Sequence, residues 1–193
     1  MASKIDLISN ALILIGDLPI TSLTGNARAQ VVSNKLYDNV VQAELSKYRW
    51  GFARKKLQLS KSAVSPVGTE FSTQYALPSD LIQFIKVNPP INYQILTSTI
   101  NGATGSYIQT DYSGDLYCDY IHNISEANFP AYFAKLIEYA LARDFALAIR
   151  DSATVKTAMS EEYLNASRMA RYTDSQQHPI TPIQDRPFLD VRY

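Results

Sequence analysis

Only one cysteine, Cys118, occurs among the 193 residues. No internal disulfide can form, so the chain does not read as a disulfide-stapled secreted scaffold. An excess of one charge is also missing, since eighteen acidic residues balance eighteen basic ones. Proteins that chiefly grip phosphates are usually basic as a whole. Long hydrophobic runs are absent too, and a membrane helix would need roughly 18 apolar residues in a row. The opening stretch MASKIDLISNALILIG has a short apolar run broken by Asp6, Ser9 and Asn10 and reads as a helix, not a signal peptide. Histidine is scarce: His122 and His178 stand alone, with no second ligand at metal spacing. There is no Gly-rich phosphate loop and no GxSxG motif. Cys118 sits mid-strand without a nearby His and reads as a small buried hydrophobe. No cofactor and no enzymatic activity are expected from this inventory.

Carboxylates are plentiful, but plenty is not a motif. Glu161 and Glu162 read as a solvated or salt-bridged helix face. Asp111, Asp115 and Asp119 read as turn and strand-edge residues whose spacing is not that of an EF-hand loop. Apolar residues make up 46% of the chain, enough for a packed core. The thirteen tyrosines fit either half-buried core edges or contact surfaces, where an apolar ring with a polar tip is favoured.

Hydrophobic spacing predicts a first helix over 3–16. Ser3 and Asp6 stand in capping-box positions, Ile5, Ile8, Leu12 and Ile15 share one face, and Gly16 ends it. A turn-rich connector, DLPITSLTGN, leads to a second helix that starts near Thr24 or Asn26 and runs to about Tyr48. The period then changes. FARKKLQLS, STQYALP, LIQFIKV, NYQIL, SYIQTD and LYCDYIH read as strands, separated by SPVG, LPSD, NPPIN, NGATG and YSGD. A hairpin is expected between SYIQTD and LYCDYIH. Helical spacing returns at Asn128 with Pro130 just inside, in a stretch apolar almost all round, as an enclosed helix is. A last helix starts at Asp151 or Ser152 and runs to about Tyr172. The predicted class is α+β: a bundle of about four helices built from 1–51 and 126–172, an antiparallel sheet or small barrel inserted at 52–125, and an extended arm at 173–193.

Two segments invite a functional reading. Between Lys47 and Lys61 lie Lys47, Arg49, Arg54, Lys55, Lys56 and Lys61 with no acid, and Trp50 and Phe52 fall among them. This is either a single-stranded nucleic-acid surface or an aromatic anchor at a helix–strand junction with a basic outer face for an acidic partner. The balanced overall charge favours the second. The segment SQQHPITPIQDRPFLDVRY is too rich in proline for a helix, through Pro179, Pro182 and Pro187. It is also too apolar for an ordinary solvated tail, with Ile180, Ile183, Phe188, Leu189, Val191 and Tyr193. Together with Arg192 these residues are the expected docking arm. As a strand it would place Leu189, Val191 and Tyr193 on one face.

The segment SKYRWGFARKKLQL resembles the R-x-W-x-F…L segment of the tail tubular protein A family, the head-to-tail adaptors of short-tailed phages. Trp50 and Phe52 match, with Arg49 slightly shifted. ALILIGDLPITSLTGN resembles the same family through Ile15, Gly16, Pro19, Ser22, Leu23 and Gly25. YALPSDLIQF is similar to its L-P strand, and Glu161, Glu162 and Arg171 to its E-E…A-R ending. The likeness spans residues 5–60 and, by layout, 75–172. The strand region departs most from the family pattern. The resemblance implies a structural virion protein at the neck of a phage, forming a dodecameric ring between the portal and the tail nozzle or tube. Such a ring seals the joint and continues the DNA channel without specific DNA binding. The arm would then hold the portal. The alternatives are a virion-associated cell-wall hydrolase using available carboxylates, a nucleic-acid-binding module on the basic junction, and a connector of a long-tailed phage with a similar bundle layout.

Overall fold

A computed structural model describes residues 3–100 and 103–177. The fold is α+β, with four helices and two open antiparallel sheets among those residues. Helix α1 spans Lys4–Leu14 and is started by the capping box foreseen from sequence: the Ser3 side chain accepts from the Asp6 amide, and the Asp6 carboxylate accepts from the Ser3 amide. Gly16, at φ +77°, then lets the chain turn, and its carbonyl accepts from the Arg150 guanidinium at 2.8 Å. Leu7, Ile8, Ala11, Leu12 and Ile15 are buried. Ile5 is only half-buried, so the core stripe is rotated slightly from the one read in sequence.

Helix α2 runs Arg28–Ser46, later than expected at its start, because no side chain caps it and Ala27 occupies the N-cap. Helix α3, Ala131–Ala148, follows Pro130 as N-cap. Glu126–Asn128 forms a separate 3₁₀ turn before it, so Asn128 is not its cap. Phe133, Leu136, Ile137, Ala140, Leu141, Phe145 and Ala146 bury α3 on several sides, as its sequence foretold. Helix α4, Ala153–Gln176, starts at Ser152, whose side chain accepts from the Val155 amide. It extends past Tyr172, and Thr173 to Gln176 are its last turn rather than the start of an arm. Within that turn Asp174 is buried, at the junction described below.

The strands all lie between α2 and α3. They are β1 (Arg54–Gln58), β2 (Ser60–Lys61), β3 (Thr73–Ala76), β4 (Leu81–Asn88), β5 (Gln94–Ile100), β6 (Ala103–Thr110) and β7 (Tyr117–His122). One sheet has the order β1-β7-β4 and the other β2-β3-β6-β5. Chain continuity from β1 into β2 carries one strand line from the first sheet into the second at Leu59, whose amide bonds the Leu116 carbonyl at 2.8 Å. A second core of Leu59, Tyr75, Val87, Ile108, Leu116, Cys118 and Tyr120 fills the strand region. Ile121, one residue along β7, belongs instead to the helical core, so the two faces of β7 serve the two cores.

The hairpin expected between SYIQTD and LYCDYIH does not form. β6 pairs with β3 and β5, whereas β7 pairs with β1 and β4. The YSGD connector is a crossover between sheets, pinned from outside: the buried Tyr75 hydroxyl donates to the carbonyls of Gly114 and Tyr112 at 2.7 and 3.1 Å. The hairpin partner of β6 is β5, in register from Gln94 opposite Gln109 to Ile100 opposite Ala103.

Cys118 is fully buried, and burial with Asp119 beside it pushes its thiol up to about 12. We predict that Ellman's reagent leaves the native protein unlabelled and labels one thiol per chain once urea unfolds it. Stoichiometric labelling of the native state would contradict this packing.

Candidate functional site

The helix–strand junction that drew attention in sequence is an anchor. The chain leaves α2, and Trp50 folds back into the helical core at 1% exposure. Its ring lies 5.0 Å from Tyr48 and 5.0 Å from Phe133, both edge-on, and 6.0 Å from Phe52. Phe52 in turn packs on Phe133, Tyr132 and Phe129 at 4.8, 6.1 and 6.5 Å. A buried indole N–H needs an acceptor, and the Glu44 carbonyl takes it at 2.9 Å. The strand insertion is therefore fixed to the start of α3 by stacked rings rather than hung from a loose linker.

Two buried carboxylates complete the junction. Glu44, at 2% exposure, accepts from Lys47 Nζ and from the Tyr163 hydroxyl, the latter at 3.0 Å. The Arg143 guanidinium lies over the Tyr163 ring, 4.5 Å from its centre. Burial alone would lower the Lys47 pKa, but its hydrogen bonds to Glu44 and Tyr163 outweigh that and raise it. Asp174, near the end of α4, accepts from the Gly51 amide at 3.0 Å and from the Tyr132 hydroxyl at 2.8 Å. Burial, then the Asp174 carboxylate, raises the Tyr132 pKa. The end of α4 is thereby tied to the first residue after Trp50 and to the start of α3. Neither Glu44 nor Asp174 was picked out from the sequence, because both fall on helix positions that spacing alone does not separate from solvated ones.

Three of the six bases in the run from Lys47 to Lys61, namely Lys47, Arg54 and Lys55, pair with acids within the chain. Arg54 pairs with Asp119 across β1 and β7, and Lys55 pairs with Asp80 at 3.0 Å. Lys56 sits over Tyr117, 5.6 Å from the ring centre. With Trp50 buried, the junction offers no indole platform on which bases could stack. Arg49, Lys56 and Lys61 are exposed.

Asp80 also accepts from the Tyr120 hydroxyl at 2.9 Å. Burial would raise its pKa, but the hydrogen bonds from Lys55 and Tyr120 prevail and lower it. A carboxyl held lower in the folded state stabilises above its unfolded pKa of about 3.9 and loses that contribution as pH falls further. Asp80→Asn should therefore narrow its urea-midpoint gap from the parent protein as pH drops from about 5 to about 3. A gap that stays constant over that range would show that Asp80 is not held this way.

A groove of about 300 Å³ runs beside α2 and is lined by Tyr37, Asp38, Val41, Gln42, Asn123 and Glu126, among others. Tyr37 is buried and its hydroxyl makes no well-formed hydrogen bond, while burial and the nearby Glu126 carboxylate raise its pKa. Asp38 in the same groove is paired with Lys4 at 2.8 Å. Among the described residues no group of three His, Cys, Asp or Glu is placed to hold a metal ion. None of their helices is long and apolar enough to cross a membrane. The expected docking residues Ile180, Ile183, Phe188, Leu189, Val191, Arg192 and Tyr193 lie outside the described residues.

Six of the twelve large apolar side chains exposed among the described residues fall in two groups on the helical bundle. Leu164, Met169 and Tyr172 lie on the outside of α4. Leu164 and Tyr172 are two helical turns apart with Arg168 between them, and Met169 is one turn before Tyr172. Ile13, Leu18 and Leu147 lie at the other end of the bundle, where α1 and α3 finish, and Leu18 is 80% exposed. The chain matches no protein-family model and no curated protein sequence.

Proposed function

We propose that this chain is a structural subunit of a phage neck, a head-to-tail adaptor. Copies close into a ring, of twelve by resemblance to the tail tubular protein A family, between the portal and the tail nozzle or tube. The ring seals the joint and continues the channel through which DNA passes. It works in the virion after assembly in the host cytoplasm. The observation that carries this reading is the pair of separate exposed apolar surfaces, one on the outside of α4 and one at the far end of the bundle. A ring is built from heterologous contacts, in which one surface of a subunit meets a different surface of the next. One self-complementary patch would give a two-fold dimer instead. The rigid junction around Trp50 suits the same task, because a ring under load needs its bundle and its strand insertion to move as one piece.

The test is attachment. The purified chain should bind isolated portal rings, and Leu164→Glu combined with Met169→Glu should abolish ring formation while leaving the circular dichroism spectrum and unfolding midpoint close to the parent. Ring formation undiminished in that variant would remove α4 from the lateral contact.

A further inference from the structure

Four strand edges are open in the two sheets, and three of them are guarded. β1 carries Arg54, Lys55 and Lys56 along its length. β4 is broken by two register shifts, carries Lys86, and packs against α2. β2 is only two residues long. These are the devices that keep sheet edges from pairing with other chains. β5 has none of them. It spans seven residues, Gln94-Ile-Leu-Thr-Ser-Thr-Ile100, with no charge, no proline and no register shift against β6. None of its residues belongs to either core, and Ile95 and Leu96 are exposed. Part of the ribbon also lacks a third strand: β3 pairs with β6 from Tyr107 to Thr110 and the Leu77 amide bonds the Ser106 carbonyl, and past Ser106 β6 pairs with β5 alone. A two-stranded ribbon standing free in water is marginal.

We infer that β5 is a strand-acceptor edge, and that its occupant is the segment Phe188–Tyr193 of a neighbouring copy. The inference rests on the ring reading above, which supplies the neighbour. The Asp174–Gly51 hydrogen bond holds the last turn of α4, which ends at Gln176, beside the start of the strand insertion. Residues 178–187, with Pro179, Pro182 and Pro187, can span at most about 33–36 Å when extended. After Pro187 the six residues FLDVRY contain no further proline, so every one can donate to a ladder. Six residues extend about 20 Å, close to the length of β5. Pairing would give the open donors and acceptors of β5 partners, and the alternation of Leu189, Val191 and Tyr193 would lay one apolar row beside the exposed side chains of β5. The arm thus links subunit to subunit around the ring, and each subunit is both giver and receiver, as a closed heterologous assembly requires.

Cross-linking tests this in the full chain. Cys118 is buried, so an introduced cysteine is the accessible thiol. Copies carrying Asp190→Cys alone are mixed with copies carrying Leu96→Cys, Ser98→Cys or Ile100→Cys alone, assembled and oxidised. At least one mixture should give a disulfide-linked pair of twice the chain mass on a non-reducing gel, and Leu96→Lys with Ser98→Lys should weaken the assembly about tenfold or more. Rings that form without any linked pair would overturn strand addition and leave the adaptor reading standing. So would linked pairs that form only between two Asp190→Cys copies, in every mixture alike. Linked pairs without attachment to portal rings would instead keep the strand contact and defeat the adaptor reading. A protein that forms no assembly at all would defeat both.

Discussion

Replacing Trp50 with alanine is expected to lower the free energy of unfolding by about 3–5 kcal/mol, the usual cost of truncating a buried aromatic side chain to alanine. The indole is almost wholly enclosed and touches Tyr48, Phe52 and Phe133. Its removal leaves a cavity lined by the rings of Tyr48, Phe52 and Phe133, and deprives the Glu44 carbonyl of the indole N–H donor. Trp50→Phe should cost less, because it keeps most of the ring contact and loses only the hydrogen bond and part of the volume. Urea denaturation followed by far-ultraviolet circular dichroism measures both, since the only tryptophan is the residue replaced. A loss under 1 kcal/mol for the alanine variant would mean that the junction is not a packed anchor.

Asp174→Ala is expected to cost about 3 kcal/mol, because it leaves the Gly51 amide and the Tyr132 hydroxyl without their acceptor in a largely dry site. Asp174→Asn retains an acceptor oxygen and should cost roughly half as much. Tyr132→Phe removes one donor and leaves the carboxylate its Gly51 bond, so it should fall below either. The order of the three variants matters more than the absolute values. If Tyr132→Phe proves the most damaging, the ring packing around Phe52 dominates and the carboxylate is secondary.

The helical half was legible because its signals are local. Ser3 and Asp6 are three residues apart, and their capping box formed as read. The apolar surround of α3 predicted enclosure, and α1, α2 and α4 pack against it. Strand existence was also readable from turn signals and β-branched runs. Strand partnership was not, because pairing is a long-range choice. The short YSGD link suggested a hairpin, but the Tyr75 hydroxyl, almost forty residues upstream, holds that link as a crossover. The end of α4 was placed too early for a related reason: Thr173 to Gln176 look like the start of a polar tail until Asp174 is seen bound to Gly51.

Of the candidate site, the aromatic half was visible and the acidic half was not. Trp50 and Phe52 stand out by rarity and by their resemblance to a family motif. Glu44 and Asp174 are ordinary residues on amphipathic helices, and their burial follows from the inward rotation of their helix faces. The charge run from Lys47 to Lys61 looked unopposed in one dimension, yet Asp80 and Asp119 arrive from distant strands to meet Lys55 and Arg54. The unguarded edge of β5 was equally invisible in sequence, because being an edge is a property of the sheet order alone.

The most direct measurement of the central claim is particle imaging of the purified full chain by electron microscopy, alone and after mixing with portal rings. The account predicts closed rings with a central channel, stacked coaxially on one face of the portal. Monomers or two-fold dimers that leave the portal bare would contradict it.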